Sequence, residues 1–330
     1  MEKIKKTDLK AFFVSNNAVI IFILLVVIAS CMSPNFLSSR NVMNILRQQV
    51  PYVLIGIGAM LTIMTGGIDL SIGATLGVGS VVIALVITKF GIMSVGGLFF
   101  AVFLTALTGA VIGLLNGVLV AYFKMAAFIA TLAVMTIGQG IAYMSTNGQP
   151  IRLVSDESRA VDVLVEFTKS KDPILGIPTV VYVAVAVILI FCFVIKKTAY
   201  GRLLIACGSN EAAVRLSGIH VNFYKTSAYV ICGTLSALAG IFVTSRASSA
   251  TPATVNGGYE LDAIAAVVIG GANLEGGKAS VVNTVIGILI MAVIGNIMNL
   301  MSIAAYPQKV VKGMIIIAAV LLKGLGNKKE

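Results

Sequence analysis

Long stretches of this chain contain no ionised residue. No Asp, Glu, Lys or Arg falls between Lys10 and Arg40, Arg47 and Asp69, Asp69 and Lys89, Lys89 and Lys124, Lys124 and Arg152, Asp172 and Lys196, Lys225 and Arg246, or Lys312 and Lys323. A helix that crosses lipid needs about 20 mostly apolar residues, and one charge at the bilayer centre costs roughly 2.5–3.5 kcal/mol on insertion scales. Only 11% of the residues are charged and 58% are hydrophobic, whereas a soluble domain carries roughly 25% charged residues to face water. A hydrated surface cannot be assembled from so few charges. The chain is therefore expected to be an all-α integral membrane protein, one polytopic bundle of about ten transmembrane helices over residues 1–330. The expected spans are 18–33, 50–65, 72–88, 95–121, 126–145, 178–195, 226–245, 260–271, 280–300 and 308–323, the eighth being short.

Lys and Arg are retained on the cytoplasmic side of a membrane. Lys3, Lys5, Lys6 and Lys10 precede the first span, which places the N-terminus inside. Counting spans then puts the loop 196–225 inside, with Lys196, Lys197, Arg202, Arg215 and Lys225 against the single acid Glu211, and puts Lys328 and Lys329 inside as well. The loop 146–177 falls outside and is balanced, with four basic and five acidic residues. Basic loops against anionic lipid account for the net charge of +11, and no nucleic-acid partner is implied. Cys31, Cys192, Cys207 and Cys232 have neither metal nor disulfide spacing and read as small packing residues. Ile28-Ala29-Ser30-Cys31 resembles a lipoprotein cleavage box, but nine further spans make an added anchor redundant, so the segment is expected to stay uncleaved.

Gly66 to Gly79 aligns without gaps on Gly257 to Gly270, each copy reading Gly-Gly, any residue, acid, Leu. The first copy follows an inward-running span and the second an outward-running one. The halves, about 40–170 and 196–325, would then be inverted repeats, an architecture that places interrupted helices around a midplane pathway. Gly109, Gly113 and Gly117 are spaced four apart, as are Gly73 and Gly77. Small residues at that spacing let helix backbones approach closely, so helix packing is the expected role.

Asp69, Glu260 and Asp262 are the acids embedded in strongly apolar surroundings. They either line and gate a polar pathway or complement helix N-termini after a Gly-Gly break, and the two roles can coexist. Asn116, within a span, must bond inside the bundle as helix glue or line the pathway. In the cytoplasmic loop, Ser209 or Asn210 offers an N-cap, Glu211 favours a first turn and Gly218 a stop. A two-turn helix is expected there. Its small Ala212 and Ala213 leave a surface another protein can approach, and an isolated helix this short is marginal in water. Gly271 to Ala279 resembles a phosphate-binding loop but is one residue too long, and Ala279 stands where Ser or Thr would hold a metal, so it reads as a glycine-rich turn. His220 is the only histidine; no histidine-based metal cluster or nucleophile–base pair can be built, and no catalytic site or cofactor is expected.

With these residues in view, the chain resembles the permease subunits of bacterial ATP-binding-cassette importers for monosaccharides. The resemblance runs through Ser33-Pro34-Asn35-Phe36, Thr65-Gly66-Gly67-Ile68-Asp69-Leu70-Ser71, Phe128-Ile129-Ala130-Thr131-Leu132 and Thr146-Asn147-Gly148-Gln149-Pro150. It is strongest over Gly208 to Ile219 and Gly258 to Val268. The resemblance implies that Glu211-Ala212-Ala213 belongs to a loop that docks on a separately encoded ATPase subunit; Asn210, Arg215, Ser217 and Gly218 complete that loop. It further implies two permease copies and an extracytoplasmic sugar-binding protein. No Leu-Pro follows Gly218, a departure from the wider importer motif that leaves the ATPase contacts open beyond the loop itself. The rival class is an ion-coupled secondary transporter or facilitator, for which Asp69, Glu260 and Asp262 are the only candidate relays. A sugar pathway would be lined by neutral groups such as Asn116 and Gln139, which do not encode one sugar over another.

Overall fold

The computed structural model describes residues 17–154 and 158–327; the basic residues Lys3, Lys5, Lys6, Lys10, Lys328 and Lys329 lie outside them. The helices in chain order are α1 (Asn17–Met32), α2 (Ser39–Met64), α3 (Ile72–Lys89), α4 (Val95–Ala121), α5 (Ala127–Thr146), α6 (Arg159–Lys169), α7 (Val180–Lys197), α8 (Ala199–Ser209), α9 (Glu211–Leu216), α10 (Val221–Ala247), α11 (Tyr259–Ile269), α12 (Val281–Leu300) and α13 (Ala305–Asn327). A short 3₁₀ turn, Pro252–Asn256, leads into α11. Each of the ten expected apolar segments falls on a helix. Six of these helices, α3, α4, α5, α7, α10 and α12, have the length and apolar composition to cross a membrane. The other apolar segments are shorter (α1, α11) or belong to helices that also carry charged residues, Arg40 and Arg47 near the start of α2 and Lys309, Lys312 and Lys323 in α13.

The packing is inside-out relative to a water-soluble bundle. Phe99, Phe100 and Phe103 of α4, Leu189, Ile190 and Phe193 of α7, and Val310, Met314, Ile317 and Leu321 of α13 face outward. Spacings of three and four put each set on one helix face, where lipid is the compatible solvent. Small residues close the interior. A methyl group at Gly109 or Gly113 of α4 would overlap the carbonyl oxygens of Gly233 or Tyr229 of α10, and one at Gly79 of α3 would overlap the backbone of Ala237. The glycine spacing therefore serves helix packing, with α10 at the centre between α3 and α4. Buried hydroxyls pair across the same seam, Ser80 Oγ with Thr244 Oγ1 at 2.6 Å.

Two regions depart from the expected outline. Helix α2 starts at Ser39, well before the apolar stretch that begins at residue 50; the Ser38 hydroxyl accepts from the Asn41 N–H at 3.3 Å and starts the helix among polar residues. The segment 146–177 is not a plain loop. It holds the amphipathic α6, whose Ala160, Val161, Leu164 and Val165 are buried against α3, α4 and α10. It also contributes Ile151–Arg152, which pairs antiparallel with Ser249–Ala250.

The two ends of α2 belong to opposite ends of the bundle. At its C-terminus the Met64 carbonyl accepts from the Gly277 N–H at 3.0 Å, and Gly208 of α8 packs directly on the same carbonyl. Its N-terminus pairs with the far end of α12, where Asn41 and Asn296 exchange amide hydrogen bonds of 2.9 and 2.8 Å.

Candidate functional site

The first feature is the segment between α7 and α10. Asn210 is the N-cap of α9, its Oδ1 accepting from the Ala213 N–H at 2.9 Å. Gly218 adopts φ +79°, the left-handed conformation that stops the helix without a Cβ penalty. Ser217 Oγ donates back to the Ala213 carbonyl at 3.0 Å. Val214 alone of this helix is buried, packed with Cys207 and Val221, while Ala212, Ala213 and Arg215 are exposed and Leu216 is 89% exposed. Glu211 fixes the helix in place. It accepts from Lys225 of α10 at 2.5 Å and from Arg215 at 2.6 Å, with Lys124 at 3.6 Å. These cations, the Lys225 hydrogen bond foremost, hold its carboxyl down at about 2.

Beside this segment, the Gly271 to Ala279 stretch connects α11 to α12. Gly276 and Gly277 both have positive φ, and Gly276 packs against Gly208 and Gly66. His220 is an exposed residue at the N-cap position of α10.

The embedded acids separate into three environments. Asp69 is 2% exposed and lies in the turn before α3, its Oδ1 accepting from the Ser71 N–H at 2.8 Å and the Ser71 hydroxyl at 2.6 Å. Asn116 of α4 donates to Ser71 Oγ at 2.8 Å and reaches Asp69 at 3.4 Å. Thr131 of α5 closes the turn by accepting from the Leu70 N–H at 3.1 Å. Glu260 occupies the first turn of α11, and its carboxylate rests on Gly73 at the start of α3, so two helix N-termini meet around one acid. Asp262, two residues on in the same first turn of α11 and so on another face, is paired with Lys312 of α13 at 2.7 Å. Asp69 and Asn116 thus come together, while Glu260 and Asp262 point to different neighbours.

A polar cavity of about 310 Å³, lined in part by Asp262 and Lys312, lies between α2, α11, α12 and α13. Helix α2 contributes Asn41, Asn44, Gln48, Gln49 and Tyr52. Asn296 and Asn299 of α12 and Gln308 of α13 face them. Neither Asn116 nor Gln139 lines this cavity. The sequence reading missed the carboxamide set, although Asn41, Asn44, Gln48 and Tyr52 recur at helical spacing. Among the described residues no group of three or more His, Cys, Asp or Glu is placed to hold a metal.

A lipid-facing helical bundle with a glycine-closed interior, a polar cavity toward one end and a protruding capped helix at the other is built as a transport permease. The chain belongs to the permease-component family described as branched-chain amino acid transport system, which matches residues 41–320. It is 41% identical over 321 residues to the ribose import permease protein RbsC of Escherichia coli (strain K12), covering 97% of this chain and 96% of that one. It is 42% identical over 299 residues to RbsC of Bacillus subtilis (strain 168), covering 91% and 89%. Identity to the L-arabinose transport system permease protein AraH of Escherichia coli (strain K12) is 33% over 311 residues, covering 94% and 90%. No solved structure matches the chain significantly.

Proposed function

We propose that this chain is the membrane-spanning subunit of an ATP-driven, binding-protein-dependent importer of a monosaccharide of the ribose type. The family description names one class of cargo and the relatives' names another. The sugar reading follows the relatives, because 41% identity over 97% of the chain is close kinship. In this reading the permease has no catalytic role. Energy comes from a separate ATP-binding-cassette ATPase that docks on the 196–225 segment through Asn210, Glu211, Ala212, Ala213, Arg215, Ser217 and Gly218. A sugar-binding protein delivers cargo on the 146–177 side, two copies of the permease assemble, both termini are cytoplasmic, and the halves are inverted repeats. Asp69, Asn116, Glu260 and Asp262 act in the pathway or its gating.

The observation that carries the proposal is α9. A six-residue helix is too short to persist in water by itself, yet three cations on Glu211 hold it rigidly while Leu216 and the two alanines stay bare. A rigid, small-surfaced, partly apolar knob suits a docking partner. The test is D-ribose uptake into vesicles reconstituted with the permease, its ATPase and its binding protein. Uptake is expected only with ATP and all three proteins. Uptake that persists without the ATPase and follows a proton or sodium gradient would replace this reading with ion-coupled transport.

A further inference from the structure

We infer that the carboxamide-lined cavity between α2, α11, α12 and α13 is a binding site for a single monosaccharide within one permease subunit. The inference rests on the sugar-importer reading and adds a site to it.

Carboxamides inside a membrane protein are costly unless they face protein partners or water. Here seven of them converge on one cavity. Four are tied to one another: Asn41 to Asn296, and Gln308 to Asn299 at 2.8 Å. The side chains of Asn44, Gln48 and Gln49 take part in no hydrogen bond among the described residues. Those three present both a donor and an acceptor to the cavity. Sugar hydroxyls also donate and accept at the same atom, so neutral amides match them without charge.

Ala263, Ala266, Ile288 and Met291 add apolar lining, together with the Tyr52 ring. A monosaccharide likewise combines hydroxyls with a C–H face. The volume of about 310 Å³ is at the small end of ligand pockets. The lone charges, Asp262 and Lys312, neutralise each other at 2.7 Å, so the site selects no ionic cargo. The cavity uses residues 41–52 of α2 and 288–300 of α12, the halves of those helices remote from Met64, Gly277 and α9. It therefore opens toward the end of the bundle opposite the docking segment, where arriving cargo would be received.

The test uses the complete importer in sealed vesicles, with the two thiols that are not buried, Cys31 and Cys192, changed to Ser. Gln48→Cys is labelled with a membrane-impermeant maleimide, and Leu37→Cys, on the exposed connection before α2, serves as reference. D-ribose or L-arabinose at about ten times its dissociation constant is expected to slow labelling at position 48 about tenfold and to leave position 37 unchanged. Betaine at equal concentration should do neither. Equal rates with and without sugar, or a position 48 that is sealed from the reagent in the complete importer, would overturn the inference. A second measurement follows sugar moved per ATP hydrolysed: it should fall in Asn44→Leu and Gln48→Leu and recover in Gln48→Asn. An unchanged ratio in both leucine variants also overturns it. If the unmodified importer moves no monosaccharide with ATP, the sugar-importer reading itself fails; if it does so without protection at position 48, only the cavity assignment fails.

Discussion

Changing Glu211 to Gln keeps the side-chain shape and removes the anion on which Lys225, Arg215 and Lys124 converge. The carboxyl is held at about 2 instead of 4.5, first by the Lys225 hydrogen bond, then by Arg215 and the Lys124 charge, with burial working against them. At about 1.36 kcal/mol per pH unit, the cations favour the ionised form by roughly 3 kcal/mol. Glu211 is 34% exposed, and Arg215 and Lys124 are 51% and 54% exposed, so water screens most of this and about 1 kcal/mol survives. That corresponds to about fivefold in the opening equilibrium of α9. Hydrogen exchange at the amides of Val214 to Ser217 should therefore speed up about fivefold in Glu211→Gln while α10 is unaffected.

The pH dependence has a definite sign. A carboxyl whose folded value is depressed stabilises fully above its unfolded value and loses that stabilisation as pH falls toward the folded one. Wild-type protection, corrected for intrinsic exchange, should be flat above pH 4.5 and fall between 4.5 and about 2. The Gln variant should show no such step. Wild-type exchange rates in Glu211→Gln at neutral pH, or an identical acid step in both proteins, would refute the idea that this ion cluster holds α9.

Gly113→Ala should lower the thermal midpoint in detergent by several degrees, because the new methyl meets the Tyr229 carbonyl and overpacking costs roughly 1–3 kcal/mol; an unchanged midpoint would contradict the close α4–α10 contact. Asp69→Asn keeps an acceptor for Ser71, whereas Asp69→Leu leaves the Ser71 N–H and hydroxyl without one, a loss of about 1–3 kcal/mol. Unfolding of both variants, read beside uptake, separates the roles: Asn that folds normally but transports slowly marks gating, and Asn that matches wild type in both marks a turn cap alone. Lys312→Met should destabilise by leaving Asp262 unpaired at 13% exposure, and Asp262→Asn in the same background should restore most of the loss. A double-mutant cycle by thermal unfolding checks this, and additive single effects would mean that the pair contributes nothing.

Much of the bundle was legible because lipid imposes a simple rule on uninterrupted apolar runs, and all ten such runs became helical. Helix α9 was legible because its cap and stop are local chemistry: Asn210 and Gly218 do what their residue types favour. The first turns of α2 were not, since Arg40, Asn41, Asn44, Arg47, Gln48 and Gln49 break the hydropathy signal while continuing the helix. Their polarity is compensated by the cavity and by neighbours distant in sequence, such as the Lys169 carbonyl that receives the Arg47 guanidinium at 3.1 Å. Helix α6 escaped notice in a charge-balanced segment because its apolar face matters only once α3 and α10 are beneath it. The joining of Asp69 to Asn116, 47 residues apart, depends on how α4 packs against the turn before α3, which no local pattern encodes. A helix follows each of the aligned segments at Gly66 and Gly257, yet Asp69 precedes its helix and Glu260 lies within the first turn of its own.

Helix α2 runs for 26 residues, with Pro51 in its interior, and spans about 39 Å from end to end. Its lower tip is clamped backbone to backbone where Gly208, Met64 and Gly277 meet, three residues from Glu211, and its upper third carries the amide wall. A displacement of α9 would reach that tip directly, and Pro51, which has no N–H for the helical ladder, is the point between tip and amide wall where the helix can bend. A tilt of about 5° pivoting at the tip would swing Asn44 and Gln48 by some 2–3 Å, enough to break one set of hydrogen bonds to a guest and release it. The spine that anchors the knob is thus also the lever that can open the chamber.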